Sequence, residues 1–105
     1  MQWRSCELIY NAENGIMLQL EPASPFAIPD DAPALKAFLS QLPELSALTL
    51  ETGADLLECR FRFQQHNCLM QFEYYSQTSW IVTDSAEADV LLSALASHIQ
   101  VVMPN

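Results

Sequence analysis

The chain has 105 residues, of which 50% are hydrophobic, 10% are aromatic and only two are glycine. This length and composition indicate a single packed domain over residues 1–105 and exclude a disordered chain or a repetitive fibre. Thirteen acidic residues against four basic ones give a formal net charge of −9. Such a chain lacks the basic stripe that binds phosphates and is repelled by anionic lipid, so we expect neither nucleic acid nor a membrane as its partner.

Neither a membrane helix nor a secretion signal is predicted. No stretch approaches the roughly 20 apolar residues that a spanning helix needs, and residues 1–10 include Glu7 without a continuous apolar run. The three cysteines, Cys6, Cys59 and Cys68, form no C-x-x-C pair. An odd number of cysteines fits reduced thiols better than a disulfide framework, so we predict a cytoplasmic protein.

The first two elements are predicted to form a β-hairpin. Alternating apolar residues indicate strands over residues 3–10 and 16–20. The dipeptide Asn14-Gly15 between them tolerates the positive φ of a tight turn, although the loop is expected to exceed two residues. The apolar residues that share one side of each strand are Cys6, Leu8, Tyr10, Ile16, Leu18 and Leu20.

A helix is predicted after an irregular, proline-rich connection over residues 21–29. We expect Asp30 and Asp31 to cap its start, because carboxylates suit the positive end of the helix dipole. Pro33 falls in the first turn, where its missing N–H costs little, and Pro43 ends the helix. The expected buried stripe is Leu35, Phe38, Leu39 and Leu42.

Three more strands are predicted in the middle of the chain, over residues 45–51, 57–64 and 68–75. The second and third of these show clear alternation and are joined by a turn near Gln65-His66. Their inward positions are Leu57, Cys59, Phe61, Phe63, Cys68, Met70, Phe72 and Tyr74.

A short strand over residues 80–82 and a final helix complete the chain. We expect that helix to begin at Asp84-Ser85, with Glu87 completing a capping box. Its apolar stripe is Ala88, Leu91, Leu92, Leu95 and Ile99.

The resulting order, ββαββββα, predicts an α+β fold. Consecutive strands joined by short turns run antiparallel, and both helices need a surface for their apolar stripes. A two-layer sandwich satisfies both requirements, with one mostly antiparallel sheet of about six strands and two helices on one face. Phe61 and Phe72 should lie near the middle of its core.

The sequence offers one group of metal-binding residue types: Cys6, Cys59, His66 and Cys68. A two-residue turn near Gln65-His66 would place Cys68 opposite Phe63, four residues along from Cys59, or about 13 Å. That distance excludes a disulfide or a shared zinc ion between the two cysteines. A site built from His66 and Cys68 with ligands from elsewhere stays open. We assign no metal and no cofactor.

No catalytic set is recognisable. The chain contains no G-x-S-x-G, P-loop, dinucleotide fingerprint or H-E-x-x-H motif. Glu58 and Glu73 are expected to face each other across a hairpin, which would raise one pKa. Arg60 and Arg62 lie on the same face and neutralise them, which favours a solvated charge lattice. We therefore assign no catalytic residue and favour a non-enzymatic role.

The solvent-facing side of the predicted sheet is the most distinctive surface. Alternation turns Arg60 and Arg62 outward on one strand and places Leu69, Glu73 and Tyr75 on the same side of the next. A mixture of arginine, tyrosine and an apolar anchor is enriched at protein interfaces. We predict that these five residues form an interaction surface for a protein partner or for a second copy of the chain.

The segment from Tyr74-Tyr75 to Ser79-Trp80-Ile81, with the length and element order, resembles small gammaproteobacterial families of unknown function. This resemblance implies a bacterial cytosolic protein. It transfers no functional residue, because such families have none assigned.

Two other functions stay open at this point. One is a small-molecule-binding protein or small enzyme with a pocket between sheet and helices, whose polar groups would be His66 and Cys68, or Glu58 and Glu73. The other is an acidic inhibitor or immunity-like protein, which would need its acidic residues clustered on one face.

Overall fold

The computed structural model describes residues 1–11, 15–85, 88 and 90–103. Within them the element order is ββαββββα, as predicted. The elements are β1 Trp3–Asn11, β2 Gly15–Pro22, α1 Ala32–Ser40, β3 Leu45–Thr52, β4 Leu56–Phe63, β5 His66–Glu73, β6 Thr78–Thr83 and α2 Leu91–Val102. Asn14 of the predicted turn and Glu87 of the predicted capping box lie outside the described residues. No helix in the described ranges is long and apolar enough to cross a membrane.

The six strands form one open antiparallel sheet in the order β1-β2-β6-β5-β4-β3. The strands β3 to β6 form a meander of consecutive hairpins, and the pairing of β2 with β6 attaches the N-terminal hairpin to it. Helix α1 carries the chain from β2 to β3 at the far edge. The predicted α+β class is confirmed.

Both helices pack on one face of the sheet and share a single core with its inward side chains. Phe61 and Phe72 are 2% and 1% exposed, as predicted for the centre of the core. At one edge of the sheet, the Trp3 ring meets the Phe38 ring of α1 edge-on at 5.5 Å between centroids. The helix residues buried against the sheet include Leu35, Phe38, Leu39, Leu92, Leu95 and Ile99.

The edge strand β1 is less covered than its sequence predicts. Leu8 and Tyr10 were expected to face the core, but they are 44% and 77% exposed. Leu8 pairs with Leu18, which is fully buried one strand further in. The helices therefore cover β2 at this level, and the outermost strand extends past them.

The predicted helix caps are corrected by the structure. Asp31 occupies the N-cap position of α1, but its carboxylate accepts a hydrogen bond from the Ala27 N–H at 2.8 Å. Pro33 removes one of the N–H donors that such a cap would bind, which leaves the carboxylate to close the preceding loop. Helix α2 begins only at Leu91, and the Ser85 hydroxyl instead accepts a hydrogen bond from the Ala88 N–H at 3.3 Å.

The register of the β4–β5 hairpin also differs from the prediction. The turn is Gln64-Gln65, so Phe63 pairs with His66, and Cys68 faces Phe61 rather than Phe63. Both glutamines have positive φ, 50° and 69°, the requirement of a type I′ turn. Cys68 therefore lies two residues along the strand from the level of Cys59, about 7 Å rather than 13 Å.

Candidate interaction surface

The sheet has an outer face, the side opposite the helices, and its side chains lie in rows that cross the strands. One row begins with Ile9 on β1, which pairs with Met17 on β2. The pairing of β2 with β6 sets Met17 beside Val82, and Val82 pairs with Leu69 on β5. We call Ile9, Met17, Val82 and Leu69 the apolar row. Each of them is only partly buried.

A second row, the polar row, lies beside the first and crosses all six strands. Its members, in sheet order, are Glu7, Gln19, Trp80, Gln71, Glu58 and Glu51. The Trp80 indole Nε1 donates to Gln71 Oε1 at 3.0 Å, and Gln71 Nε2 donates to Glu58 Oε2 at 3.4 Å. The Arg60 guanidinium lies 3.6 Å from the same carboxylate oxygen.

This chain of contacts orders Trp80 through a hydrogen bond, whereas the Arg60 side chain is 61% exposed and lies in a longer ion pair with Glu58. Trp and Arg dominate the energetics of protein interfaces. Side chains that are already ordered lose less entropy when a partner binds. The hydrogen bond to Gln71 therefore orders the Trp80 side chain on the outer face.

Three of the five predicted interaction residues are neighbours in the structure. Arg60 and Leu69 are directly opposed across the β4–β5 hairpin. Arg62 lies two residues further along β4, opposite Asn67, and its guanidinium donates to the Gln65 carbonyl at 2.9 Å. Arg60, Arg62 and Leu69 thus form one corner of the outer face.

The other two predicted residues lie at the far end of the sheet. Glu73 pairs with Leu56, six residues from Arg62 and therefore about 20 Å away along the strands. Its carboxylate accepts the N–H groups of Ser76 at 2.7 Å and Tyr75 at 3.2 Å, and the bonds from Ser76 are the main cause that lowers the pKa of Glu73. Glu73 organises the β5–β6 turn.

Tyr75 belongs to that turn, beyond the end of β5, and does not extend the outer-face rows. It is 76% exposed, and its ring meets that of Tyr74 edge-on. The expectation that Glu58 and Glu73 face each other is wrong, because Glu58 pairs with Gln71.

Sequence reasoning missed Trp80 and Val82 because β6 gives an ambiguous signal. Trp80, Ile81 and Val82 are consecutive and apolar, and a short apolar run does not reveal its faces. The inward neighbour of Ile81 is a polar residue, Ser79, which is fully buried and donates its hydroxyl to the Leu20 carbonyl at 3.0 Å.

The three cysteine side chains face the core, and their thiols are poorly reactive. Desolvation by burial raises the pKa of Cys6 to about 11, of Cys59 to about 12 and of Cys68 to about 11. His66 is exposed at the start of β5. Among the described residues, no group of three or more His, Cys, Asp or Glu side chains is placed to hold a metal ion.

Comparison with known proteins gives a family but no activity. The model of a family described as "Protein of unknown function (DUF3630)" matches residues 10–100. No curated protein and no solved structure matches the chain. The matched range contains all five predicted interaction residues and most of both outer-face rows.

Proposed function

We propose that this chain, which belongs to the DUF3630 family of proteins of unknown function, is a non-enzymatic interaction module that self-associates through its outer face. The observation that carries the proposal is the apolar row, which crosses four adjacent strands on a sheet face that neither helix covers. Contiguous apolar surface bordered by polar residues is typical of protein interaction sites.

The charge distribution supports a second copy of the chain as the occupant. Of the four basic residues, Arg60 and Arg62 lie on the outer face, Arg4 reaches Glu21 on that face, and only Lys36 lies on a helix. The acidic residues on the same face are Glu7, Glu21, Glu51, Glu58 and Glu73, so the outer face carries −2 of the formal net charge of −9. Two copies repel each other least when they approach through it.

Two contacts between the rows are favourable when the face meets itself. A two-fold axis that runs across the strands, between the rows, lays the apolar row of one copy on the polar row of the other. Val82 then meets the Trp80 ring of the second copy, and Arg60 meets its Glu58. Such an isologous contact pairs opposite charges twice, once on each side of the axis.

The size of the face sets the expected strength. Six strands about 4.8 Å apart and about eight residues long give roughly 600 Å² per copy, or roughly 1,200 Å² in total. This area is at the lower end of specific interfaces. We therefore expect a reversible dimer with a dissociation constant on the order of micromolar.

Pairing through the edge of the sheet is the rival route to a dimer. Strand β3 is a poor edge for pairing because a bulge between Ser46 and Thr49 interrupts it. Strand β1 is continuous in register from Ser5 to Asn11 and exposes Leu8 and Tyr10 on the helix side. A test must therefore separate the outer face from the β1 edge.

Light scattering coupled to gel filtration, over a range of protein concentrations, makes this separation. The face variant is Leu69→Thr/Val82→Thr, which removes apolar area and keeps the β-branched character that strands favour. The matched control is Leu8→Thr/Tyr10→Thr, on the opposite side of the sheet. We expect the wild type and the control to pass from monomer to dimer and the face variant to stay monomeric.

Two results would overturn the proposal. One is a wild type that stays monomeric at the highest soluble concentration. The other is a dimer that the β1 variant dissolves and the face variant leaves intact, which would assign the contact to the edge strand. Added salt gives an independent check, because screening weakens repulsion between two acidic copies and should strengthen the dimer.

The proposal includes a gammaproteobacterial cytosol as the setting. The resemblance in length, element order and the segment around Ser79-Trp80-Ile81 supports that origin. Three free, buried thiols are consistent with a reducing compartment.

A further inference from the structure

Backbone strain gathers at one corner of the sheet, where β3, β4 and the β4–β5 turn meet. A non-glycine residue with positive φ is uncommon, and such conformations concentrate at ligand sites and switch regions. Gln77 is one such residue in the described part of the chain and belongs to the β5–β6 turn. Four others lie at this corner: Gln64 at 50° and Gln65 at 69°, which form the type I′ turn described above, and Glu44 at 65° and Ala47 at 54°.

The strain at Ala47 comes from a bulge that opens the sheet. Ser46 pairs with Arg62 and Thr49 pairs with Arg60, so two residues of β3 oppose the single residue Phe61 of β4. Beside the bulge lies a depression of about 330 Å³, which we call the corner cleft. Its lining residues are Ala47, Arg60, Phe61, Arg62, Asn67 and Cys68.

The polar side chains of the corner cleft are dominated by donors. Arg62 has no carboxylate within ion-pair distance in the described part of the chain, and its contact with the Gln65 carbonyl holds it beside the turn. Arg60 shares Glu58 only at 3.6 Å, and Asn67 adds a carboxamide. Two guanidinium groups on alternate residues of one strand match the planar, bidentate geometry of carboxylates and phosphates.

We infer that the corner cleft binds an oxyanion, a phosphate or carboxylate group carried on a small organic molecule. Its volume is within the range of small-molecule sites and exceeds what a bare phosphate fills. Glu58 beside Arg60, and Asp84, whose backbone N–H bonds the Asn67 carbonyl, border the cleft and limit its affinity. The inference goes beyond the proposed dimer, because a single copy contains every lining residue.

Titration with inorganic phosphate at constant ionic strength, followed by amide NMR shifts, tests this site. We expect saturable shifts at residues 47, 60–62 and 67–68. The variant Arg60→Gln/Arg62→Gln should weaken binding roughly tenfold or more, because it removes both charge-assisted donors. The matched control, Arg4→Gln/Lys36→Gln, loses the same charge elsewhere and should bind like the wild type.

Shifts that do not saturate, or an equal loss of affinity in both double variants, would overturn the inference. Phenyl phosphate tests the organic part of the ligand: it should bind more tightly than inorganic phosphate, and equal affinity would refute that part.

The oxyanion has two possible sources, a free ligand or an acidic side chain of the second copy in the proposed dimer. If saturating phosphate leaves the oligomeric state unchanged, the site serves a free ligand. If phosphate dissociates a dimer, the cleft holds an acidic side chain of the second copy, and the assignment to a small organic molecule is overturned. A wild type that stays monomeric at every concentration would overturn the proposed dimer. The phosphate titration would still test the corner cleft, because a single copy contains every lining residue.

Discussion

The two faces of the sheet are built from the same strands but use their residues differently. On β4 the inward residues Cys59, Phe61 and Phe63 are at most 2% exposed, whereas the intervening Arg60 and Arg62 are exposed. The inner face is closed by two helices and determines whether the chain folds. The outer face is held by a few hydrogen bonds across strands, so its side chains can change with little effect on stability. In the proposed dimer, neighbouring residues of one strand therefore serve stability and recognition separately.

Neighbouring substitutions on β4 give the largest expected contrast. Phe61→Ala should lower the free energy of unfolding by about 3–5 kcal/mol, because it leaves a cavity in the centre of the core. Arg60→Ala, one residue away, should change it by less than about 0.5 kcal/mol. Urea unfolding followed by circular dichroism measures both. A loss below about 1 kcal/mol for Phe61→Ala would refute the assignment of the two faces.

Thiol labelling examines the inner face without any mutation. Cys6, Cys59 and Cys68 are 8%, 0% and 5% exposed, and burial raises the pKa of each. Since the thiolate is the reactive form, a disulfide reagent at pH 8 should label the native chain about 100-fold more slowly than the urea-unfolded chain. Rapid labelling of one cysteine in the native chain would show that the core is open at that position.

The same burial predicts how stability depends on pH. The unfolded thiols ionise near pH 9, whereas in the folded chain the pKa of Cys59 is about 12. The native state therefore holds more protons above pH 9. Its stability should be fully present below that pH and should fall as the pH rises towards 12. The variant Cys59→Ala should show a shallower fall, and an unchanged slope would contradict this origin.

The parts of the fold that the sequence predicts correctly are those with a clear local pattern. Phe61 and Phe72 were located correctly because strict alternation on β4 and β5 leaves one choice of face. The register between these strands was wrong because Gln64-Gln65 carries none of the residues that normally mark a type I′ turn. Tyr75 was misplaced for a related reason: alternation does not show where a strand ends and its turn begins.

The surface that carries the proposal was the least predictable part. Arg60 and Leu69 were identified because the alternation of side chains places both on the outward side of one hairpin. The apolar row, which contains Leu69, also includes Ile9 and Met17. These two residues are more than 40 positions from Arg60 and Leu69 in sequence, and only the pairing of β2 with β6 brings them alongside. A strand order of this kind depends on tertiary packing, which local periodicity does not encode.

The smallest expected effect is a change in stability at the corner of the sheet where β3, β4 and the β4–β5 turn meet. Gln65 has a φ of 69°, and its side chain makes no hydrogen bond with the described residues, whereas its backbone carbonyl accepts from Arg62. Gln65→Gly removes the strain and keeps that contact, so it should raise the free energy of unfolding by about 1 kcal/mol.

The matched control is the same substitution at Gln77, whose φ of 54° is also positive. The Gln77 side chain ties the loop before α1 to the β5–β6 turn, because it accepts from the Phe26 N–H at 2.7 Å and donates to the carbonyls of Phe26 and Tyr74. Gln77→Gly loses these bonds and should destabilise the chain by about 1–2 kcal/mol despite the relief of strain. If the two substitutions change the free energy of unfolding in opposite directions, the strain at Gln65 is not offset by hydrogen bonds of its side chain. That result is expected where a backbone is shaped for binding. Equal signs would remove strain as evidence for the corner cleft and leave that site to depend on its donors alone.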